Sequence, residues 1–154
     1  MTEVRAPHPY STEKPIVFLA GSIEMGSARP WQQEAVAALS GVDATVLNPR
    51  RIDWDASWEQ HADHPAFREQ VAWELDGLER ADVVLFYFDP ETKSPVSLME
   101  LGLVHARRVV VACPEGYWRK GNVDMVCERY GIPRFERLED ALAEVKTVLR
   151  AVRP

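Results

Sequence analysis

Apolar and polar positions along this chain come in blocks whose length and spacing change repeatedly from strand-like to helix-like. Residues 15–20 (PIVFLA) form a short, β-leaning apolar run ending at Gly21, the mark of a buried strand. Pro30 opens a stretch, 31–40, in which Trp31, Ala35, Ala38 and Leu39 fall at helical spacing. Residues 42–47 are a second strand, stopped by Asn48-Pro49. The segment 50–65 is polar and rich in Trp, Asp and His; it reads as a long surface loop, and such loops usually carry function or are disordered. Residues 66–80 place Phe67, Val71, Leu75 and Leu78 on one face of an amphipathic helix. The strongest strand is 82–89 (DVVLFYFD), followed by a Pro-containing loop and a helix over 95–107. A fourth strand at 108–113, a helix at 122–130, a short fifth strand at 134–136 and a terminal helix at 138–152 complete the chain.

Strands that alternate with helices need crossover connections, so the expected fold is α/β. The expectation is a single three-layer, flavodoxin-like or Rossmann-like domain over 15–154, with a mostly parallel sheet of about five strands. Residues 1–14, polar and carrying Pro7 and Pro9, read as a flexible N-terminal segment. Open parallel sheets bind ligands outside the carboxyl ends of their strands. That rule points to residues 21–26, 48–58, 89–100 and 114–122.

Composition narrows the partners. At 154 residues the chain is near the size of one domain, and 46% hydrophobic with 27% charged residues is an ordinary globular balance. A net charge of -6 lacks the basic footprint that phosphate backbones require, so nucleic acid is not an expected partner, whereas a small nucleoside is compatible. No apolar run approaches the roughly 20 residues of a membrane helix, and the N-terminus lacks a signal-peptide core; no membrane partner and a cytoplasmic location are expected. Cys113 and Cys127 are too few for a disulfide framework and read as small apolar residues. His61, His64 and His105 show no ligand spacing, so neither a metal nor a cofactor is expected.

The turn Gly21-Ser22-Ile23-Glu24-Met25-Gly26 lacks the middle glycine of a dinucleotide fingerprint and the ending of a P-loop. Asn48 is also not the acid that holds a ribose hydroxyl of NAD. The turn either merely leaves the strand or grips a sugar or base through Ser22 and its backbone amides. The segment Ser94 to Gly102 (SPVSLMELG) has two structural readings: Ser94 as N-cap with Pro95 at the first helical position, or Ser97 and Glu100 as a capping box. Against both, Glu100 lies between Met99 and Leu101 in a turn facing the strand ends, and the helix N-terminus would help keep it ionised as a nucleophile requires. Glu74 and Asp76, near the end of the preceding helix, are either exposed acids or the second carboxylate of a glycosyl-transfer pair. Trp31 and Trp73 are expected in the core, whereas Trp54, Trp58 and Trp118 fall in loops, as anchors or as stacking surfaces for a base.

Three stretches in fixed order, Phe18-Leu19-Ala20-Gly21-Ser22, the run from Glu74 to Asp82, and Ser94 through Met99-Glu100-Leu101-Gly102, resemble the nucleoside 2-deoxyribosyltransferase superfamily, which also contains nucleotide N-glycosidases. Asn48-Pro49-Arg50-Arg51, Trp54 and the run from Cys113 to Asn122 resemble a bacterial transferase-like branch; together the likeness spans residues 15 to 132. The resemblance implies Glu100 as the nucleophile of a glycosyl-enzyme intermediate and Glu74 in the place of an Asp that helps protonate the base. Ser94 falls where the nucleotide hydrolases carry a serine, and Asn122 resembles an asparagine donated by a neighbouring subunit, which implies a homo-oligomer. Val17 stands where transferases place a tyrosine that orients the nucleophile, leaving Tyr87 as candidate for that task. Glu24 stands where phosphate-binding relatives often carry an arginine, which implies an uncharged nucleoside rather than a nucleotide.

The expected catalytic residues are therefore Glu100, Glu74, Asp76 and Tyr87. The expected substrate-binding residues are Gly21, Ser22, Asn48, Trp54, Asp89, Ser94, Ser97 and Asn122. The expected reaction is cleavage of the N-glycosidic bond of a (deoxy)nucleoside, with transfer of the sugar to another base or to water. The alternatives are a non-catalytic nucleoside- or nucleotide-sensing module, or an NAD or nucleotide N-glycohydrolase on the same fold.

Overall fold

A computed structural model describes residues 1–24 and 28–152. Met25 and Gly26, the end of the glycine-containing turn, lie outside the described residues. The element order is β1 (Thr2–Arg5), β2 (Ile16–Gly21), α1 (Trp31–Ala38), β3 (Thr45–Asn48), α2 (Pro65–Arg80), β4 (Val83–Tyr87), α3 (Pro95–Val104), β5 (Val109–Ala112), α4 (Lys120–Tyr130), β6 (Arg134–Phe135) and α5 (Leu138–Val152).

The six strands form one sheet in the order β1-β3-β2-β4-β5-β6, and every pairing is parallel. Without β1, the remaining five run in flavodoxin-like order, second-first-third-fourth-fifth. The chain thus turns to opposite sides after β2 and after β4, and the switch point lies between these two strands. β1 replaces the flexible segment expected at residues 1–14: Thr2 to Arg5 pair with Thr45 to Asn48 of β3. Only Val4 in that stretch is a large apolar residue, so an edge strand of this kind leaves no hydrophobic pattern to read.

Each strand divides its side chains between two cores, as the two-residue period of a strand requires. Val17, Leu19, Val83, Leu85 and Tyr87 pack beneath α1 and α5 with Trp31, Ala35 and Val145. Phe18, Ala20, Val84, Phe86 and Phe88 pack on the other face with Trp73, Leu101, Val123 and Cys127 from α2, α3 and α4. Trp31 and Trp73 are both core residues, as expected, and so are both cysteines, which are free. Among the described residues no helix is long and apolar enough to cross a membrane.

Helix α2 presents a different face from the one its apolar residues suggest. Gln70, Trp73, Gly77 and Leu78 are buried, whereas Leu75 is 41% exposed. Gly77 explains the rotation: a Cβ there would lie 2.6 Å from the Phe18 ring, so the bare backbone lets α2 settle directly on β2. The contact row then runs through positions 70, 73, 74 and 77, and it carries Gln70 and Glu74 inward.

Candidate active site

A cavity of about 390 Å³ opens at the carboxyl end of β2, walled by α2, by the start of α3 and by the segment after β3. The volume is at the lower end of the range for small-molecule sites. Gly21 closes its floor. Its φ of 131° is open to glycine, and a Cβ there would sit 2.2 Å from the Tyr87 carbonyl, so β2 and β4 could not converge around any larger residue.

Behind the floor lies a ring of three buried hydroxyls. Ser22 Oγ is 2.6 Å from Ser94 Oγ and 2.7 Å from Thr92 Oγ1, and the Thr92–Ser94 distance is 2.8 Å. Ser22 Oγ accepts from the Asp89 N–H, and Thr92 donates to the Asp89 carbonyl, which leaves Ser22 and Ser94 to donate within the ring. The Ser22 carbonyl accepts from Trp31 Nε1, and its N–H donates to Tyr87. This network locks the ends of β2 and β4 to the start of α3.

Ser94 and Glu24 both hold positive φ, 47° and 46°, unusual for residues other than glycine and costing on the order of 1 kcal/mol or more each. They stabilise one another: Glu24 Oε1 accepts from the N–H groups of Lys93 and Ser94 at 2.9 and 2.6 Å. From the other side, Tyr117 and Trp118 donate to the Lys93 carbonyl. The peptide that launches α3 is therefore held through both its amide and its carbonyl ends.

Of the two structural readings of the 94–102 segment, the capping box fails because Ser97 lies inside α3, and the N-cap reading holds in position, with Pro95 opening the helix, but not in its side-chain bond. Ser94 occupies the N-cap position but makes no side-chain cap bond, because its hydroxyl belongs to the ring. Glu100 lies in the second turn, 7% exposed, facing the cavity, and among the described residues no group donates a hydrogen bond to its carboxyl. Glu74, across the cavity on α2, accepts from Gln70 Nε2 at 2.8 Å. Burial pushes the Glu74 carboxyl up to about 7 against the opposing hydrogen bond from Gln70. Burial, reinforced by the charge of Glu74, pushes Glu100 to about 8. Glu100 is thus the harder of the two to ionise in this structure, the reverse of the expectation from its place near a helix start; desolvation outweighs the helix dipole.

Of the residues expected to bind substrate, Gly21, Trp54, Ser94 and Ser97 line the cavity beside Glu100 and Glu74. Ser22 does not: it is 0% exposed and fully engaged in the hydroxyl ring. Asn48 bridges strand ends, donating to Glu3 and accepting from the Arg50 N–H. Asp89 shapes the turn after β4 by accepting from the N–H of Glu91. Tyr87 points to the opposite face of the sheet, where it packs on Trp31 with Arg29 over its ring, because it alternates with Phe86 and Phe88. Val17 shares that face, whereas Phe18 looks into the cavity. Asp76 is exposed on α2, and Asn122 is exposed at the start of α4; neither lines the cavity.

Residues 14–117, more than half of the chain, match a family model described as nucleoside 2-deoxyribosyltransferase like. The chain belongs to that family. Every described residue lining the cavity, from Phe18 to Glu100, falls inside the matched span, and Asn122 falls outside it. No curated protein matches the chain.

Geometry brings forward two residues that sequence reasoning missed: Gln70 lines the cavity, and Thr92 completes the hydroxyl ring. Glu24 and Arg50, noted in the sequence for the resemblance alone, also line the cavity. Arg50 donates to the carbonyls of Ala28 and Arg29, drawing the 28–29 and 49–51 segments together. Gln70 was signalled by its place four residues before Glu74, where helical neighbours meet. The hydroxyl ring had no such local signal, because its members come from two distant loops.

Proposed function

We propose that this protein cleaves the N-glycosidic bond of a nucleoside by a retaining route and passes the sugar to another base or to water. The observation that carries this reading is the pair of carboxyls on one cavity, Glu100 buried and Glu74 half-buried, of which Glu100 has no hydrogen-bond partner among the described residues. In the first step Glu100 Oε attacks the anomeric carbon, the C–N bond breaks, and the departing base nitrogen takes the proton of Glu74. In the second step an incoming base or water loses a proton to Glu74 as it attacks the same carbon, and Glu100 leaves as a carboxylate. A retaining pair of this kind calls for a separation of about 5–5.5 Å between the carboxyls when substrate is bound.

The productive form carries one proton on the pair. Two adjacent buried acids titrate as a unit, and the first ionisation opposes the second. Sugar hydroxyls donating to Glu100 would favour its charged form and leave the proton on Glu74. Glu24, whose carboxylate already occupies the amides of residues 93 and 94, supports an uncharged nucleoside over a nucleotide.

A homo-oligomer belongs to the same reading. Helix α3 is apolar on nearly all sides, and Val96, Met99 and Leu103 are exposed along it, an arrangement that favours burial against another copy of the chain. Sedimentation showing only monomer at micromolar concentration would remove this element. The buried free thiols suit a reducing compartment and so a cytoplasmic protein.

The deciding experiment incubates the protein with a panel of nucleosides, nucleotides and NAD, following base release and base exchange by chromatography. Exchange or release from nucleosides, lost in Glu100→Gln, is the expected result. A wild-type protein that cleaves none of them, yet binds nucleosides equally well with and without Glu100, would instead be a sensing module.

A further inference from the structure

Gln70 occupies an unusual position for a glutamine. It is 5% exposed on the inner row of α2 and lines the cavity between Phe67 and Glu74. Its Nε2 donates twice, to the Pro49 carbonyl and to Glu74 Oε1, both at 2.8 Å. A backbone carbonyl can only accept, so the amide nitrogen must face Pro49 and the orientation of the side chain is fixed by chemistry. The oxygen is consequently turned away from both partners, and among the described residues nothing donates to Oε1. Across the same cavity Trp54 Nε1 is a buried donor that likewise has no acceptor.

Buried polar groups are nearly always satisfied, and a group left unmet in a cavity is a group available to a ligand. One unmet acceptor and one unmet donor suit a planar nitrogen heterocycle that carries both an N–H and a lone pair on its edge. We propose that Gln70 is the positioning residue for the proton donor Glu74 and that its Oε1 accepts from an N–H of the departing base. The proposal rests on the glycosidic reading above and names the leaving group for it.

The positioning half follows from the two bonds of Nε2. They tie the Glu74 carboxyl to the first residue after β3, so that Glu74 cannot swing with its own side-chain freedom. The other charged groups around the cavity are Glu100 on α3, Glu24 after β2, and Arg50 and Arg51 after β3, of which Arg51 is held by Asp53 and Glu69. Gln70 is thus the neutral donor that steadies Glu74 without adding charge to the pair. Losing it removes a hydrogen bond from the ionised form of Glu74 and raises the pH at which that acid titrates.

The test compares a nucleoside with a 4-nitrophenyl 2-deoxyriboside, whose phenolate departs without an acid and offers no N–H. In Gln70→Met, the ratio of nucleoside to nitrophenyl turnover should fall roughly 10- to 100-fold, a part of the roughly 10²- to 10⁴-fold that a general acid contributes, since Glu74 itself remains. An equal loss on both substrates, or no loss on the nucleoside, overturns the proposal. Gln70→Glu keeps the volume and the acceptor but removes the donor, so kcat for the nucleoside should fall while KM stays within about threefold. A KM that rises as much as kcat falls overturns it. Carbon-13 NMR of glutamate-labelled protein, with the Glu74 signal assigned through Glu74→Gln, gives a readout independent of turnover. Glu74 should titrate at higher pH in Gln70→Met than in the wild type; an unchanged titration removes the positioning role. If the wild type cleaves neither substrate, the glycosidic reading fails, while the NMR titration still decides whether Gln70 holds Glu74.

Discussion

Two clusters of buried polar side chains meet at the carboxyl end of β2, and they differ in how completely they are satisfied. In the ring of Ser22, Thr92 and Ser94, each hydroxyl has partners within the ring, and two of them also bond the backbone of Asp89. In the group formed by Glu100, Glu74 and Gln70, one carboxyl and one amide oxygen find no donor among the described residues. Of the first cluster only Ser94, among the described residues, reaches the cavity wall, whereas all three members of the second line it. A saturated network can only hold things in place, whereas groups left unmet in a cavity retain their capacity for a ligand. The contrast separates the residues that build the site from the residues that act in it.

The sharpest way to break this division is Glu100→Gln. If Glu100 acts, turnover of a nucleoside should fall by at least about 10³-fold while the far-ultraviolet circular dichroism is unchanged. A variant that keeps most of its activity would make Glu100 a structural acid like the hydroxyls behind it.

Next in size is the pH dependence of folding. Both acids titrate higher in the folded protein, Glu74 at about 7 and Glu100 at about 8, than an ordinary carboxyl near 4.5. The folded state therefore holds protons that the unfolded chain has lost. The stability they contribute is fully present below about pH 4.5 and is lost as pH rises through about 7 and 8. Urea denaturation should show a fall of several kcal/mol between pH 5 and 9 from this pair, much of it absent in Glu100→Gln. A stability that rises with pH through this window would contradict the burial of the pair.

Ser22→Ala tests the saturated cluster. It leaves the Asp89 N–H without its acceptor and should cost roughly 1–3 kcal/mol in thermal or chemical denaturation. Any loss of turnover should follow the loss of folded protein and leave the pH profile unmoved. The smallest effect is expected from Asp76→Asn, on the exposed side of α2: stability within about 0.5 kcal/mol and unaltered turnover. A large loss of activity there would return Asp76 to the acid's role and displace Glu74.

How much of this was legible depended on whether the signal was local. The 15 residues of α5 were readable to their ends because Leu138, Ala141, Leu142, Val145 and Leu149 repeat with helical period against a charged background. Glu100 stood out as an acid between Met99 and Leu101, and Glu74, together with Asp76, as an acid that the dipole disfavours near the end of its helix. The side of α2 that turns inward was not, since its orientation depends on Gly77 meeting Phe18, a contact between residues 59 positions apart. Without that orientation Gln70 looks like one more surface glutamine and Leu75 like a core leucine. Tyr87 was misassigned for a related reason: its place beside Phe86 and Phe88 was visible, but not which of the two faces carried α3. Ser22 illustrates a third kind of failure, for a hydroxyl in a strand-end turn looks the same whether it faces a sugar or two other hydroxyls.

Cys113 and Cys127 have a practical bearing on such experiments. Both are at most 2% exposed, and burial pushes their thiols up to about 12 and about 11. Thiolates are the species that react with alkylating reagents, so neither native cysteine should take up a maleimide dye near neutral pH. A cysteine introduced at Gln60, an exposed residue on the cavity rim, would then carry a fluorophore at a single position without removing the native pair. Such a conjugate could report ligand arrival by its emission alone, even for compounds the protein never turns over.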